Sequence, residues 1–321
     1  MDNKENSQQL SILEEYYKSV PNIQQAVTSI IENSIAIFLP FRRIDKTKIF
    51  NEFEKGIIEN NERIKNAYAL KNDVFEKVII KNRLLGQIHK DILEAILSFK
   101  KKFNKSTLGF SVIFTANELS DKLKKNKGAK AYLINKLKEI KDCTIDIYGS
   151  TTAQGYVDYS FGLIQSILIK NEKYIEVSFT PDYTYFLMKN ELLDYRGYID
   201  DIMLLETDLR LIRKKLGLKK GINVDFIKAM VRYMLTHKGD KDKGSNYAIK
   251  TFINKLEYRE IMTEEEIKDA ITDIQRVEVK ELLKDKFGIS LTANNKTLTF
   301  HNKKPKYILN QSKNIFDKEI L

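Results

Sequence analysis

The chain has 321 residues, 42% of them hydrophobic, and a formal charge of +11 from 55 basic and 44 acidic side chains. That length and apolar content exclude a disordered chain and suit two domains with an extension. Glycine and proline are scarce, at 13 and 4, and Cys143 is the single cysteine, so collagen-like chains, glycine-rich nucleotide folds, an intrachain disulfide and a cysteine-rich zinc site are excluded.

The basic balance points to a polyanionic partner. One cysteine fits a reducing compartment. The polar start, Met1 to Asn6, does not read as a secretory leader. The most apolar stretch, Ala26 to Phe41, is interrupted by Glu32, Asn33 and Pro40 and is too short to span a bilayer. The expected location is the cytoplasm, with no membrane partner. The excess charge is concentrated: residues 1–70 hold nine basic and ten acidic side chains, whereas residues 79–142 hold fifteen and six. Within that segment, Asp121 to Lys141 carries eight lysines against Asp121 and Glu139.

In chain order, Leu10 to Leu39 reads as one or two helices. Phe41-Arg42-Arg43 after Pro40 marks a break. Ile49 to Lys77 reads as another helix, with Ile57, Ile58, Ile64, Ala67 and Leu70 near one face. Leu85, Ile88, Ile92, Ile96, Phe99 and Phe103 recur at three- and four-residue steps, the face of a long amphipathic helix. Phe110 to Phe114 suits a strand, and Thr115-Ala116-Asn117-Glu118 has capping-box spacing for a short helix. A third helix runs from about Ala129 to Lys141 and buries Leu133, Ile134, Leu137 and Ile140.

The period then changes to two. Thr144 to Tyr148 alternates, as do Val157, Tyr159 and Phe161, and then Ile175, Val177 and Phe179, with a turn at Asn171-Glu172. Helix, short strand, helix, turn, helix and hairpin is the element order of a winged-helix domain.

A second unit follows a connecting helix, Tyr198 to Leu216. Its elements are a helix from Val224 to His237, a charged loop, and a helix from Asn246 to about Tyr258. A capped helix then runs from Thr263 to about Lys286, and a hairpin closes the unit at Leu291–Ala293 and Thr297–Phe300. The expected fold class is therefore α+β, mostly helical. It comprises a helical N-terminal extension (1–78), two winged-helix domains (79–195 and 196–310) and a C-terminal tail (311–321).

The candidate DNA-binding residues follow from this order. On the third helix, Tyr132, Asn135, Lys136 and Lys138 point outward or flank the outer face, and Lys124, Lys125, Lys127 and Lys130 surround its start. Lysines at a helix edge suit phosphates, and Asn135 suits an adenine edge. In the second unit the candidates are Lys243, Tyr247, Lys250, Asn254 and Lys255. The string Ile134-Asn135-Lys136-Leu137 recurs there as Ile253-Asn254-Lys255-Leu256.

No Walker motif, G-x-G-x-x-G or G-x-S-x-G is present. His89, His237 and His301 are far apart and form no metal-binding pair. His89 reads as a packed or edge residue, and His237 as a helix-end residue. Asp146, Asp158 and Glu176, on predicted neighbouring strands, are the carboxylates a metal-dependent nuclease would need. The expectation is a protein without catalysis, cofactor or metal.

The chain resembles the plasmid replication initiators built from two winged-helix domains, the iteron-binding Rep type. The resemblance covers about residues 79–305. It rests on Arg83-Leu84-Leu85-Gly86-Gln87-Ile88-His89-Lys90-Asp91-Ile92-Leu93, the capped helix from Thr115, the long hairpin after Cys143, the Ile175–Pro181 strand entering Tyr183–Met188, and Arg232-Tyr233-Met234-Leu235-Thr236-His237. Residues 1–78 have no obvious counterpart, and the second wing is short.

The resemblance implies sequence-specific binding of double-stranded DNA at repeated origin sites, initiation of plasmid replication, and autoregulation. It also implies a host initiator and replicative helicase as partners, and a homodimer. The alternatives are a winged-helix transcriptional regulator, a metal-dependent nuclease, or a structural protein on an anionic surface.

Overall fold

Residues 14, 16–70, 75–125, 130–152, 155–171, 173–237, 245–292, 296–300 and 306–308 are described by the structure, a computed structural model of the α+β class. The chain is helical over residues 16–25 (α1), burying Tyr16, Ser19 and Ile23 at helical spacing. β1 (Thr28–Ser29), α2 (Ile30–Ser34), β2 (Phe38–Leu39) and α3 (Lys48–Lys55) follow. Ser29 caps α2: its Oγ accepts from the Glu32 backbone N–H at 3.2 Å, while Glu32 Oε2 accepts from the Ser29 N–H at 2.7 Å.

The helix expected over Ile49–Lys77 ends at Gly56, whose φ of +77° is unfavourable for other residues. β3 (Ile57–Glu59) and β4 (Glu62–Ile64) then form a hairpin. Its turn residues Asn60 and Asn61 have φ of +51° and +65°, the left-handed pair that a two-residue hairpin turn requires. β5 (Ala67–Leu70) comes next, then β6 (Lys77–Lys81). The helical extension expected over 1–78 is therefore corrected to a mixed segment. Asparagine turns and pairing of β5 with β6 override the apolar spacing.

β7 (Leu85–Gly86) leads into α4 (Gln87–Leu97), which stops well before Phe103. Phe103 lies instead on β8 (Lys101–Asn104), paired with β9 (Gly109–Thr115). Thr115 caps α5 (Ala116–Lys122) in a box with Glu118, as the spacing predicts. α6 (Lys130–Asp142) buries Leu133, Leu137 and Ile140. Four strands follow: β10 (Thr144–Thr152), β11 (Gly155–Gly162), β12 (Ile164–Lys170) and β13 (Tyr174–Phe179). α7 (Pro181–Lys189) and β14 (Leu192–Asp194) complete this part.

Two sheets flank the helices. One has the order β11–β10–β6–β5 and runs across residue 78, where a boundary is expected; the other has the order β12–β13–β9–β8. In the second, Val177 stands opposite Ile167 on one side and Val112 on the other.

The remaining elements are α8 (Arg196–Lys215), α9 (Val224–Leu235), β15 (Ser245–Ala248), α10 (Ile249–Lys255), α11 (Tyr258–Ile261), α12 (Glu264–Gln275), α13 (Val277–Phe287), β16 (Ile289–Leu291), β17 (Thr297–Phe300) and β18 (Lys306–Ile308). The helix expected from Asn246 begins as strand. The single helix expected from Thr263 to Lys286 breaks at Arg276, an extended residue with ψ of 139°. The closing hairpin is present as β16 and β17 in a sheet of order β15–β17–β16; its Asn294-Asn295 turn lies outside the described residues. β1, β14 and β18 form a further antiparallel ladder.

α4 and α9 meet across a buried ionic cluster. Arg232, 2% exposed, donates to Glu94 Oε1 and Oε2 at 3.0 and 2.8 Å, to Asp91 Oδ1 at 2.7 Å and to Gln87 Oε1 at 2.6 Å. Lys228 donates to Asp91 Oδ2 at 2.5 Å. Lys90 donates to Thr28 Oγ1 at 2.6 Å and lies 3.7 Å from Glu32 and 3.8 Å from Glu94.

Tyr183 donates to Glu32 Oε1 at 3.0 Å, and the Tyr195 hydroxyl donates to Glu94. Burial opposes ionisation of Asp91, yet Lys228 and Arg232 hold its carboxyl below the usual range. Three cations thus balance three carboxylates where an uncompensated charge would be costly.

Candidate nucleic-acid interface

α6 is amphipathic because Leu133, Leu137 and Ile140 recur on one face and pack inward, against α4 among others. Its other side carries the predicted residues. Asn135 and Lys138 are exposed, and Tyr132 is about half exposed. Lys136 turns along the flank: its Nζ lies 2.9 Å from both Glu139 carboxylate oxygens and 5.8 Å from the Tyr132 ring centre.

Glu139 is the hub of this flank. It also accepts from Arg83 at 2.9 Å and from His89 Nε2 at 2.9 Å. His89 Nδ1 accepts from the Gly86 N–H at 2.9 Å, so the proton sits on Nε2 and the ring is neutral. Burial raises the Glu139 carboxyl, but hydrogen bonds from His89, Lys136 and Arg83 outweigh it and hold the group well below the carboxylate range. His89 is thus a packed residue that orients α6 on α4.

The lysines around the start of α6 divide. Lys124 pairs with Asp200 at 3.1 Å, and Lys125 pairs with Glu206, so both tie the α5 end to α8. Lys130 is half-buried on the first turn. Lys127 lies outside the described residues. The structure therefore gathers Tyr132, Asn135, Lys136 and Lys138 on α6, and uses Lys124 and Lys125 as struts. The Arg42–Arg43 pair was read in the sequence only as a break. It lies beside this helix, lining a cleft with Tyr132 and Lys136. The adjacent arginines were the available signal; their approach to α6, far along the chain, was not.

In the second unit Lys250, Asn254 and Lys255 are exposed on α10, and Asn254 Oδ1 accepts from Arg259 Nε at 3.3 Å. Tyr247 stands on β15, not on the helix, and stacks on the His237 ring at 3.9 Å and 21°. Burial pushes the His237 imidazole down to about 4. Lys243 lies outside the described residues.

Strand order shows that α10 and α6 are not equivalent. α6 precedes the β12–β13 hairpin across the inserted β10–β11 pair, whereas the helix immediately before the β16–β17 hairpin is α13. The repeated Ile-Asn-Lys-Leu string therefore falls on non-equivalent helices. α13 exposes Val277, Glu281, Lys284 and Asp285, a mixed rather than basic face. Reading α12 and α13 as one helix hid this position.

Of the three candidate nuclease carboxylates, Asp146 and Asp158 stand on the paired strands β10 and β11 and Glu176 stands in another sheet. Asp146 pairs with Lys81 and accepts from Ser160 at 2.7 Å, and Asp158 accepts from the Gly149 N–H at 3.0 Å. Glu176 lies in a different sheet, paired with Lys170 and accepting from Ser111 at 3.2 Å. Among the described residues no three or more His, Cys, Asp or Glu side chains are placed to hold a metal. Cys143 is buried, which pushes its thiol up. No helix among the described residues is long and apolar enough to cross a membrane.

No family model matches the sequence, and no curated protein matches it. Among solved structures, the fold is similar to a crystal structure of domains 2 and 3 of RctB. The identity is 10%, the TM-score is 0.42, and the match covers 82% of this chain and 93% of that one. A second crystal structure of RctB domains 2–3 matches with 10% identity and a TM-score of 0.37, covering 79% of this chain and 92% of that one.

Proposed function

We propose that the chain binds double-stranded DNA sequence-specifically through tandem winged-helix units and acts, without catalysis of its own, in initiating plasmid replication at repeated origin sites. The observation that carries this reading is the repeated topology. In the first unit the strand before the paired helices, β9, lies beside β13 in the order β12–β13–β9; in the second the order is β15–β17–β16. Each time a helix, α4 or α9, comes before that strand, with β8 between α4 and β9, and further helices then lead to a hairpin; that order supports reading each unit as a helix-turn-helix with a β wing.

In this reading α6 is the helix that enters the major groove. Asn135 reads a base edge and Lys138 contacts phosphate. The Rep resemblance of Arg83–Leu93 and Arg232–His237 supports the replication role, and with it a host initiator, a replicative helicase and a second copy of the chain as partners.

The test is binding to repeats from near the protein's own gene against scrambled DNA across a salt series. Specific binding that survives near-physiological salt is the expected result. Lys138→Ala should weaken all sequences alike and reduce the salt slope by about 1. Asn135→Ala should cost about 1–3 kcal/mol on the specific site alone. Equal, salt-labile binding to both DNAs would overturn the proposal.

A further inference from the structure

The cleft beside α6 lies between the Pro40–Arg43 segment, the Tyr132 flank of α6 and the first turn of α9. Its volume is about 610 Å³, within the range of small-molecule sites. At one rim Arg42 and Lys125 share Glu206, at 3.0 Å from the Arg42 guanidinium, and Arg42 remains 74% exposed. Arg43 lies beside them, and its side chain makes no hydrogen bond or ion pair among the described residues. Tyr132 offers a half-exposed ring.

Asp225, in the first turn of α9, also lines the cleft. It is half-buried, and its carboxylate has no hydrogen-bonding or ion-paired partner among the described residues. Lys228, the nearest cation on α9, is already committed to Asp91. Burial pushes the Asp225 carboxyl up to about 6. An acidic group with that perturbation inside a cleft is a mark of a binding site.

The lining decides the ligand class. Asp91, Glu206 and Asp225 offset the cations, so a bare polyanion gains little from the whole cleft. A ligand with an anionic end, a flat ring and hydrogen-bond donors would use Arg43, Tyr132 and Asp225, the groups of the lining that the ion pairs leave over. We propose that the cleft binds a nucleoside phosphate: the phosphate at Arg43 and the exposed Arg42, the base against Tyr132, and Asp225 accepting from the base edge. Arginine presents a planar fork suited to phosphate oxygens. Aromatic rings stack bases without regard to sequence. An ionised carboxylate only accepts, so it selects guanine, whose ring N–H and amino group donate side by side, over adenine.

This site shares the Tyr132 and Lys136 flank of α6 but not the exposed Asn135 and Lys138, and it does not depend on the DNA-binding proposal. The experiment is calorimetric titration of the full chain with GMP, GDP, AMP and inorganic phosphate at neutral pH, alongside Asp225→Asn and Arg43→Ala. Circular dichroism melts confirm that both variants fold, and DNA binding is measured on the same samples.

The expected result is micromolar binding of the guanine nucleotides, at least about tenfold weaker binding of AMP, and weaker binding still of phosphate. Asp225→Asn should reduce guanine affinity about tenfold or more, and Arg43→Ala should weaken both nucleotides, with DNA affinity unchanged by Asp225→Asn. No binding at about 1 mM, equal binding of GMP and AMP, or affinities that neither variant changes would overturn the proposal. Loss of DNA recognition with nucleotide binding intact would overturn only the DNA reading.

Discussion

Replacing Arg232 by methionine tests the ionic cluster most directly. The side chain is 2% exposed and supplies donors to Glu94, Asp91 and Gln87. Methionine fills much of its volume but leaves the cluster with two cations and three carboxylates, Glu94 being 0% exposed. Removing one partner of a buried pair costs about 3–5 kcal/mol, because the surviving charge remains desolvated. The folded-to-unfolded ratio should therefore fall by two to four orders of magnitude.

The assay is urea denaturation at pH 7. It is followed by far-ultraviolet circular dichroism and by tyrosine fluorescence, since the chain has 16 tyrosines and no tryptophan. Adding Glu94→Gln to Arg232→Met restores the charge balance and should recover part of the loss. A single-variant loss below about 1 kcal/mol, or a double variant no better than the single, would refute the claim that charge balance governs this interface.

Two further substitutions probe other buried groups. Lys101 donates to the carbonyls of Ala26 at 2.9 Å, Gln24 at 3.3 Å and Leu97; Lys101→Met leaves these acceptors unfilled and should cost about 2–4 kcal/mol in denaturant titrations. Asp225, facing Lys228, Asp91, Arg42 and Glu206, has its carboxyl raised to about 6, so the folded chain bears the cost of ionising it above that pH. Asp225→Asn should therefore stabilise the protein by about 1–3 kcal/mol at pH 7.5. The gain should fade as the pH falls from 6 towards 4, where the native carboxyl is already protonated; a constant difference across pH would contradict this assignment.

Much of the first unit was legible because its signals are local. Thr115 and Glu118 stand at capping-box spacing and form the box; Leu133, Leu137 and Ile140 recur on one face and are buried. The error at Ile49–Lys77 arose from weighting apolar spacing over turn chemistry. Gly56 and the Asn60-Asn61 pair were visible punctuation, and the strands they separate form through partners distant in sequence, with Ala69 opposite Ile79.

The candidate interface was legible only in part for the same reason. Sequence placed Asn135 and Lys138 outward correctly, but Lys124 and Lys125 find Asp200 and Glu206, far along the chain. No local pattern reports that pairing. Arg276 is an ordinary residue whose extended backbone divides α12 from α13, so the last helix before the second hairpin could not be located by periodicity.

The ladder β1–β14–β18 places Thr28 opposite Leu193, and Leu193 opposite Tyr307. A ribosome emits these three segments at widely separated times. The early strand must wait unpaired until the middle one emerges, and the middle strand keeps one edge open until the late one emerges. Closure of this ladder therefore waits on its latest segment and depends on contacts of high sequence separation, whose loop-entropy cost grows slowly with length. Stalling or truncation before Lys306 leaves the β14 edge open to other chains.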